Sequence, residues 1–310
     1  MRLRDPPRGT PLTLLGNTVL LQLRRSSSRA PSMATSQAPS SSGGELPWGV
    51  LLKADALDWA AVVALIVTGA SVEAAPPYRH VLFPDELWRL SLPHTANTVP
   101  SWTVPVVALA VPTAVIAALH STRRSFDRRT AARLTLCLFG ACSMTFAITN
   151  VLKVAVGRPR PDFVARCWPD GQVTGLPGVP VCEGDQNAHA VKEGLKSFPS
   201  GHTSLTTCGM TYLSLLLWTR VLFVPSAAVR GPVLRVLAAA LPLLYALYVA
   251  VSRVRDGWHH WSDCAAGALL GGGLAWLFAS IQGKDDPGAV RQLRGDTPED
   301  SAELLLNAAV

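Results

Sequence analysis

The chain alternates between long apolar runs and shorter polar connections. Six runs, at about 56–75, 102–120, 133–156, 203–224, 232–252 and 263–281, each come close to the roughly 20 residues a helix needs to cross a bilayer. They are apolar on every side, whereas a helix of a soluble protein keeps a polar stripe. The pattern predicts an all-α, polytopic membrane protein: a six-transmembrane-helix bundle occupying residues 48–282. In the sixth run Gly267 and Gly271 stand four apart, followed by Gly272 and Gly273. Small residues at that spacing let helices approach closely. Packing within the bundle is the natural use of this face, and a homodimer interface is the second.

The flanks differ from this core. Residues 1–47 are rich in Ser, Pro and Arg, and their one apolar stretch, Leu12 to Leu23, is too short to span. Two readings stand: a disordered basic tail, or a removable plastid or mitochondrial targeting segment. Residues 283–310 form a polar tail, acidic near Asp296, Glu299, Asp300 and Glu303.

Composition agrees with the pattern. Of the 310 residues, 49% are hydrophobic and 16% charged, against about 25% charged in soluble domains. The net charge of +7 does not point to nucleic acid, because no nucleic-acid-binding motif is present and the basic residues gather between apolar runs. There they set orientation. The second connection holds Arg123, Arg124, Arg128, Arg129 and Arg133, the fourth Arg220 and Arg230, and the C-terminal tail Lys284, Arg291 and Arg294. With the basic N-terminal tail, all lie on one side of an even-numbered bundle, the cytoplasmic side. The first, third and fifth connections then face the lumen or exterior. Endoplasmic reticulum, plasma membrane and plastid envelope all satisfy this.

Those three connections carry the unusual residues. The first, roughly 76–101, is an interfacial loop or a cover over a lipid head group. The third, about 157–202, is long, and long loops are usually functional or disordered. It contains Cys167 and Cys182. A disulfide between them would close a loop of roughly 15 residues, worth about 3 kcal/mol; two free thiols are the alternative. The six cysteines include no C-x-x-C pair, which argues against a zinc site.

Three clusters sit at span ends on this one face. Lys153 and Arg160 follow the third span in Lys153-Val-Ala-Val-Gly-Arg-Pro-Arg-Pro161. Pro199, Ser200, Gly201 and His202 open the fourth. Ser252, Arg253, His259 and Asp263 bridge the fifth and sixth. Each alone has a bland explanation: a snorkelling lysine, a basic turn, a structural histidine. Together they place cations, imidazoles and a carboxylate at one membrane boundary, where charges are costly and mark function. A helix opened near Trp258 would put His259 and Asp263 at i,i+4, so that the carboxylate orients the imidazole. Helix-terminal amides beside Ser200 and Gly201, with an arginine fork, suit a phosphate. Arg158 and His260 break the spacing and read as secondary electrostatics and a surface neighbour.

The ordered patterns K-x6-R-P, P-S-G-H and S-R-x5-H-x3-D resemble the type 2 phosphatidic acid phosphatase superfamily, the lipid phosphate phosphatases. The text from Gly157 to Cys167 and from Lys196 to Ser204 is similar to its plant, fungal and diacylglycerol-pyrophosphate-phosphatase-like branch. The resemblance covers about residues 55–282. It implies an integral membrane phosphatase that needs no metal or other cofactor and acts on phosphatidate, lysophosphatidate or diacylglycerol pyrophosphate held in the bilayer. It further implies His259 as nucleophile, Asp263 as its orienter and His202 as general acid and base. Lys153, Arg160, Ser200, Gly201 and Arg253 would bind the phosphate. A polyprenyl pyrophosphate phosphatase would use the same site. A non-catalytic lipid-phosphate-binding protein would have lost His202, His259 or Asp263, and all three are present. A transporter would place its charges near mid-span, whereas here they sit at span ends.

Overall fold

A computed structural model describes residues 49, 53, 55–122, 126–183, 188–222 and 231–285. The expected N-terminal tail, the C-terminal tail beyond residue 285, and Arg123, Arg124 and Arg230 lie outside the described residues.

Among the described residues the fold is helical, without strands. Five of the described helices are long and apolar enough to cross a membrane: α1 (Ala56–Glu73), α2 (Thr103–Thr122), α3 (Arg128–Val156), α7 (Pro232–Arg255) and α8 (Trp261–Asp285, apolar to Ile281). The expected fourth span is built differently. Its α-helix, α6 (Gly201–Leu216), has 16 residues and continues as a π-helical turn over Leu217–Leu222. Sixteen residues rise only about 24 Å, so this element needs its final turn to approach a bilayer's roughly 30 Å. The short helices α4 (Phe163–Cys167) and α5 (His189–Gly194) lie in the third connection.

The local sequence explains where α3 and α6 begin and end. Asp127 caps α3, its carboxylate accepting from the Thr130 amide at 2.8 Å. Gly157 ends it in the left-handed region (φ 61°), and its amide donates to the Lys153 carbonyl at 3.0 Å. A Cβ there would stand 1.9 Å from the Tyr78 carbonyl oxygen, so only glycine fits. Lys153 is thereby fixed in the last turn. Ser200 caps α6, its hydroxyl oxygen facing the Thr203 amide at 3.5 Å.

Helix α3 is the hub: α1, α6 and α8 all pack on it. Helix α6 is enclosed by α3, α7 and α8. The glycine stripe of α8 lies against α6, where a Cβ on Gly271 would meet the Ser204 carbonyl oxygen at 2.0 Å and one on Gly267 the Ser200 carbonyl oxygen at 2.8 Å. The stripe therefore packs within the bundle. The outward faces of α1 and α7 remain apolar and exposed, as at Val63, Val67, Leu241 and Leu247, the surface expected of lipid-facing helices.

The third connection folds into a cap with its own small core of Leu82, Leu90, Phe163, Trp168, Val191 and Leu195. Cys167 and Cys182 are joined there by a disulfide. Leu82 and Gly178 exchange backbone hydrogen bonds at 2.9 and 3.1 Å, tying the first connection to the third. In the first connection Pro84–Arg89 forms a 3-10 turn whose Trp88 side chain is exposed.

Candidate active site

The end of α3, the start of α6 and the turn between α7 and α8 converge beneath this cap. A cavity of ≈ 650 Å³ lies among them, with Lys153, Arg160, Gly201, His202 and His259 at its polar end. Five of the eight residues expected to act on substrate thus line one space. The remaining three, Ser200, Arg253 and Asp263, are buried and are not among its lining residues.

His259 is buried, and its Nδ1 lies 2.7 Å from the Ser197 carbonyl oxygen. A carbonyl only accepts, so Nδ1 carries the proton and Nε2 keeps its lone pair. Burial pushes the imidazole pKa down to about 4, against the pull of the neighbouring Asp263 carboxylate. His202, the second residue of α6, sets its Nε2 3.2 Å from the Val99 carbonyl oxygen, which leaves its Nδ1 unprotonated when neutral.

Asp263 orients the site differently from the simple i,i+4 pair. Helix α8 opens at Trp261 rather than Trp258, so His259 precedes it. Its Nδ1 is 3.8 Å from the Asp263 carboxylate, beyond hydrogen-bond reach. That carboxylate instead accepts from Arg158 Nη1 at 2.5 Å, Ser197 Oγ at 2.6 Å and the His260 amide at 2.9 Å. Ser197 is the link: its hydroxyl binds Asp263 and its carbonyl binds His259. Arg158 is thus a direct partner of Asp263, and His260 is half-buried against the same carboxylate, 3.3 Å away through Nδ1. Arg158 supplies the secondary electrostatics expected of it, by direct contact, whereas His260 is more than a surface neighbour.

The cations also divide. Arg160 is buried, with Nη2 donating to Glu193 at 3.1 Å and its guanidinium 4.9 Å from the centre of the Trp258 ring. Its Nε and Nη1 are buried without a partner among the described residues. Buried donors are nearly always satisfied, so a missing acceptor is implied. Burial lowers the Arg160 pKa to about 10, leaving it charged at neutral pH. Lys153 Nζ lies 3.3 Å from where a Cβ on Gly201 would be, so that glycine keeps room for the ammonium over the start of α6.

Arg253 does not reach the cavity as expected. It is fully buried, and its fork is occupied: Nη1 donates to Asn97 Oδ1 at 2.5 Å, Nη2 to Asp256 at 2.9 Å, and Nε to Ser252 Oγ at 3.2 Å. Asp256 binds the Thr98 amide and hydroxyl as well, at 2.8 and 2.7 Å. These bonds outweigh the upward effect of burial and hold its pKa below the ordinary carboxylate value. Ser200 is also fully buried. Its amide donates to the Asp263 carbonyl at 3.1 Å, and its hydroxyl faces Thr203.

Two groups at the polar end carry no motif signal. Glu193 of α5 pairs with Arg160 and, at 3.5 Å, with Lys196. Burial would raise its pKa, but Arg160, Lys153 and Lys196 outweigh that and lower it. The Arg160 and Arg166 guanidiniums both lie over the Trp258 ring, the latter 4.7 Å from its centre. A tryptophan in a polar turn was the one available hint. Among the described residues, no group of three His, Cys, Asp or Glu side chains is arranged to hold a metal ion.

Away from this end the cavity wall is apolar. Ile66 of α1, Val104 and Leu109 of α2, Phe139 and Phe146 of α3, and Leu205 of α6 line it along the bundle. Fold and site together define an integral, multi-pass membrane protein with an imidazole- and cation-bearing cavity continuous with an apolar chamber.

Comparison with known proteins names the family. The model of the PAP2 superfamily matches residues 133–286. Lipid phosphate phosphatase 1 of Arabidopsis thaliana is 41% identical over 217 residues, covering 69% of this chain and 64% of the relative. Lipid phosphate phosphatase 2 of the same plant is 40% identical, over 69% of this chain and 72% of its own length. Probable diacylglycerol pyrophosphate phosphatase 1 of Schizosaccharomyces pombe is 37% identical over 41% of this chain and 46% of its own. The chain therefore spans about two thirds of the length of these plant relatives. No solved structure matches it. The chain belongs to the PAP2 superfamily.

Proposed function

We propose that this protein is a metal-independent lipid phosphate phosphatase, hydrolysing phosphatidate or a related lipid phosphomonoester to its alcohol and phosphate. One observation carries the reading: two imidazoles share a cavity with an arginine whose buried Nε and Nη1 lack acceptors. A phosphate oxygen is the acceptor that fits, and Lys153 faces the same space.

The lone pair on His259 Nε2 attacks phosphorus while the P–O bond to the glycerol oxygen breaks. Protonated His202 donates to the departing alkoxide, an acid contribution of about 10²–10⁴-fold. A phosphohistidine results. His202, now neutral, takes a proton from a water that attacks phosphorus; the P–N bond breaks, and the electron pair returns to Nε2. Lys153, Arg160 and the Gly201 end of α6 offset the phosphate's charge, the main requirement of phosphoryl transfer. Asp263 holds the site through Ser197. Arg253 contributes by bracing the turn through Asp256 and by its positive field.

The apolar chamber would take an acyl chain, which favours a lipid over a water-soluble phosphomonoester. The same chamber admits a polyprenyl chain, so polyprenyl pyrophosphate is the second substrate to test. Loop charge supports a site on the non-cytoplasmic face. The experiment is phosphate release from phosphatidate in mixed micelles with excess chelator. Wild type should turn over and His259→Ala should not. A strict requirement for Mg²⁺, or full activity in His259→Ala, would refute the mechanism.

A further inference from the structure

A second cavity, of ≈ 680 Å³, lies at the other end of the bundle. Arg133 lines it and Lys153 lines the first; both belong to α3, 20 residues apart, or about 30 Å along the axis. The two cavities therefore open toward opposite membrane boundaries.

The head of this second cavity is cationic. Arg129 and Arg133 come from the first two turns of α3, and Arg220 from the π-helical turn after α6. Asp55 and Asp58, at the start of α1, complete the rim. Among the described residues neither Arg129 nor Arg133 has a carboxylate within ion-pairing distance, so these guanidiniums are not consumed by that rim. Further in, the wall is apolar: Leu65 of α1, Leu136 of α3, and Phe278 and Ile281 of α8. Helices α1 and α8 both pack on α3, and the cavity lies between them with α3 as its floor.

The two halves ask for one kind of ligand. Guanidinium forks bind phosphate oxygens in pairs, and an apolar wall continuing along the span suits an acyl chain. A soluble anion would use only the first half and an uncharged lipid only the second. We propose that this cavity is a non-catalytic site for an anionic phospholipid of the leaflet opposite the active site. Its phosphate would sit at Arg133, with Arg129 and Arg220 around it, and an acyl chain would lie along Leu65 and Phe278. Among the described residues no histidine lines the cavity, so the bound lipid is retained rather than cleaved.

The test is native mass spectrometry of the full chain released from nanodiscs of phosphatidylcholine and phosphatidylglycerol. The latter is a phosphodiester, outside phosphomonoesterase chemistry. One phosphatidylglycerol should stay bound to wild type and to His259→Ala. The double variant Arg129→Gln/Arg133→Gln should lower its occupancy roughly tenfold, as loss of charge-assisted contacts worth about 1.4 kcal/mol requires. Leu65→Trp, which fills the apolar half and spares every charge, should lower it too and decides the matter if the double variant misfolds. Undiminished retention in Leu65→Trp and in the folded double variant would overturn the proposal. So would loss in His259→Ala alone, which would put the lipid in the catalytic cavity, or displacement by inorganic phosphate alone, which would make the ligand a free anion. Because retention is read rather than turnover, failure here is distinguishable from failure of the phosphatase reading.

Discussion

At the scale of single residues, the site is a set of donors and acceptors whose partners decide their roles. Asp263 touches Arg158, Ser197 and His260; its hydrogen-bonded route to His259 runs through Ser197, and its charge acts on the imidazole directly from 3.8 Å. Arg158→Gln removes the charged partner of a buried carboxylate and should lower kcat/KM about tenfold while leaving KM little changed. Unaltered kinetics in that variant would show that Asp263 holds its place without it. His259 yields a pH prediction. Its pKa in the fold is about 4, below the roughly 6.5 of a free histidine. As the proposed nucleophile His259 is therefore neutral down to about pH 4, and the acid limb of kcat/KM due to it should fall near there. A limb near 6.5 that vanishes in no other variant would contradict the burial. The stability sign follows from the same shift. Between those values the unfolded chain binds a proton that the fold refuses, so His259 erodes stability as pH falls through that window.

Among elements, the contact of α8 with α6 controls the distance between the two imidazoles, since His259 leads into one helix and His202 opens the other. Gly267 and Gly271 permit that contact. Gly271→Ala places a methyl 2.0 Å from the Ser204 carbonyl oxygen, an overpacking that should cost about 1–3 kcal/mol and push the helices apart. Gly273→Ala is the control, because a Cβ there meets nothing within 4 Å. Thermal unfolding in detergent should separate the two, with activity lost only in Gly271→Ala. Equal melting temperatures would mean the stripe is not a tight contact. The fourth span is an element whose ends are less plain in the sequence. Its apolar run continues without a break, yet the backbone changes to a π-helical turn at Leu217, a change of hydrogen-bond register that hydropathy does not encode.

For the molecule as a whole, the decisive feature is that a polar site and an apolar chamber are one cavity. The chamber draws on α1, α2, α3 and α6, so no single span reveals it. Leu109→Trp would fill part of it without touching a charged group. Long-chain phosphatidate should then lose more kcat/KM than a short-chain analogue, by roughly tenfold if a buried chain segment of two methylenes is displaced. Equal losses for both chain lengths would place the acyl chain elsewhere.

The apolar runs, the motifs at their ends and the loop charges are local properties, so the sequence alone was enough to define the helical membrane bundle and to nominate residues that gather at one cavity. Bilayer insertion demands about 20 apolar residues in a row whatever else the chain does, and that demand is written directly in composition. Which donors remain available is a non-local question. Arg160 and Arg253 look alike as motif arginines. Only the tertiary structure shows that Arg253 is tied to Asn97, Ser252 and Asp256, while Arg160 keeps two buried N–H groups without acceptors. It also brings Glu193 and Trp258 beside Arg160 from other parts of the chain. A hydrogen bond depends on angles and distances between segments far apart in sequence, and those are set by packing.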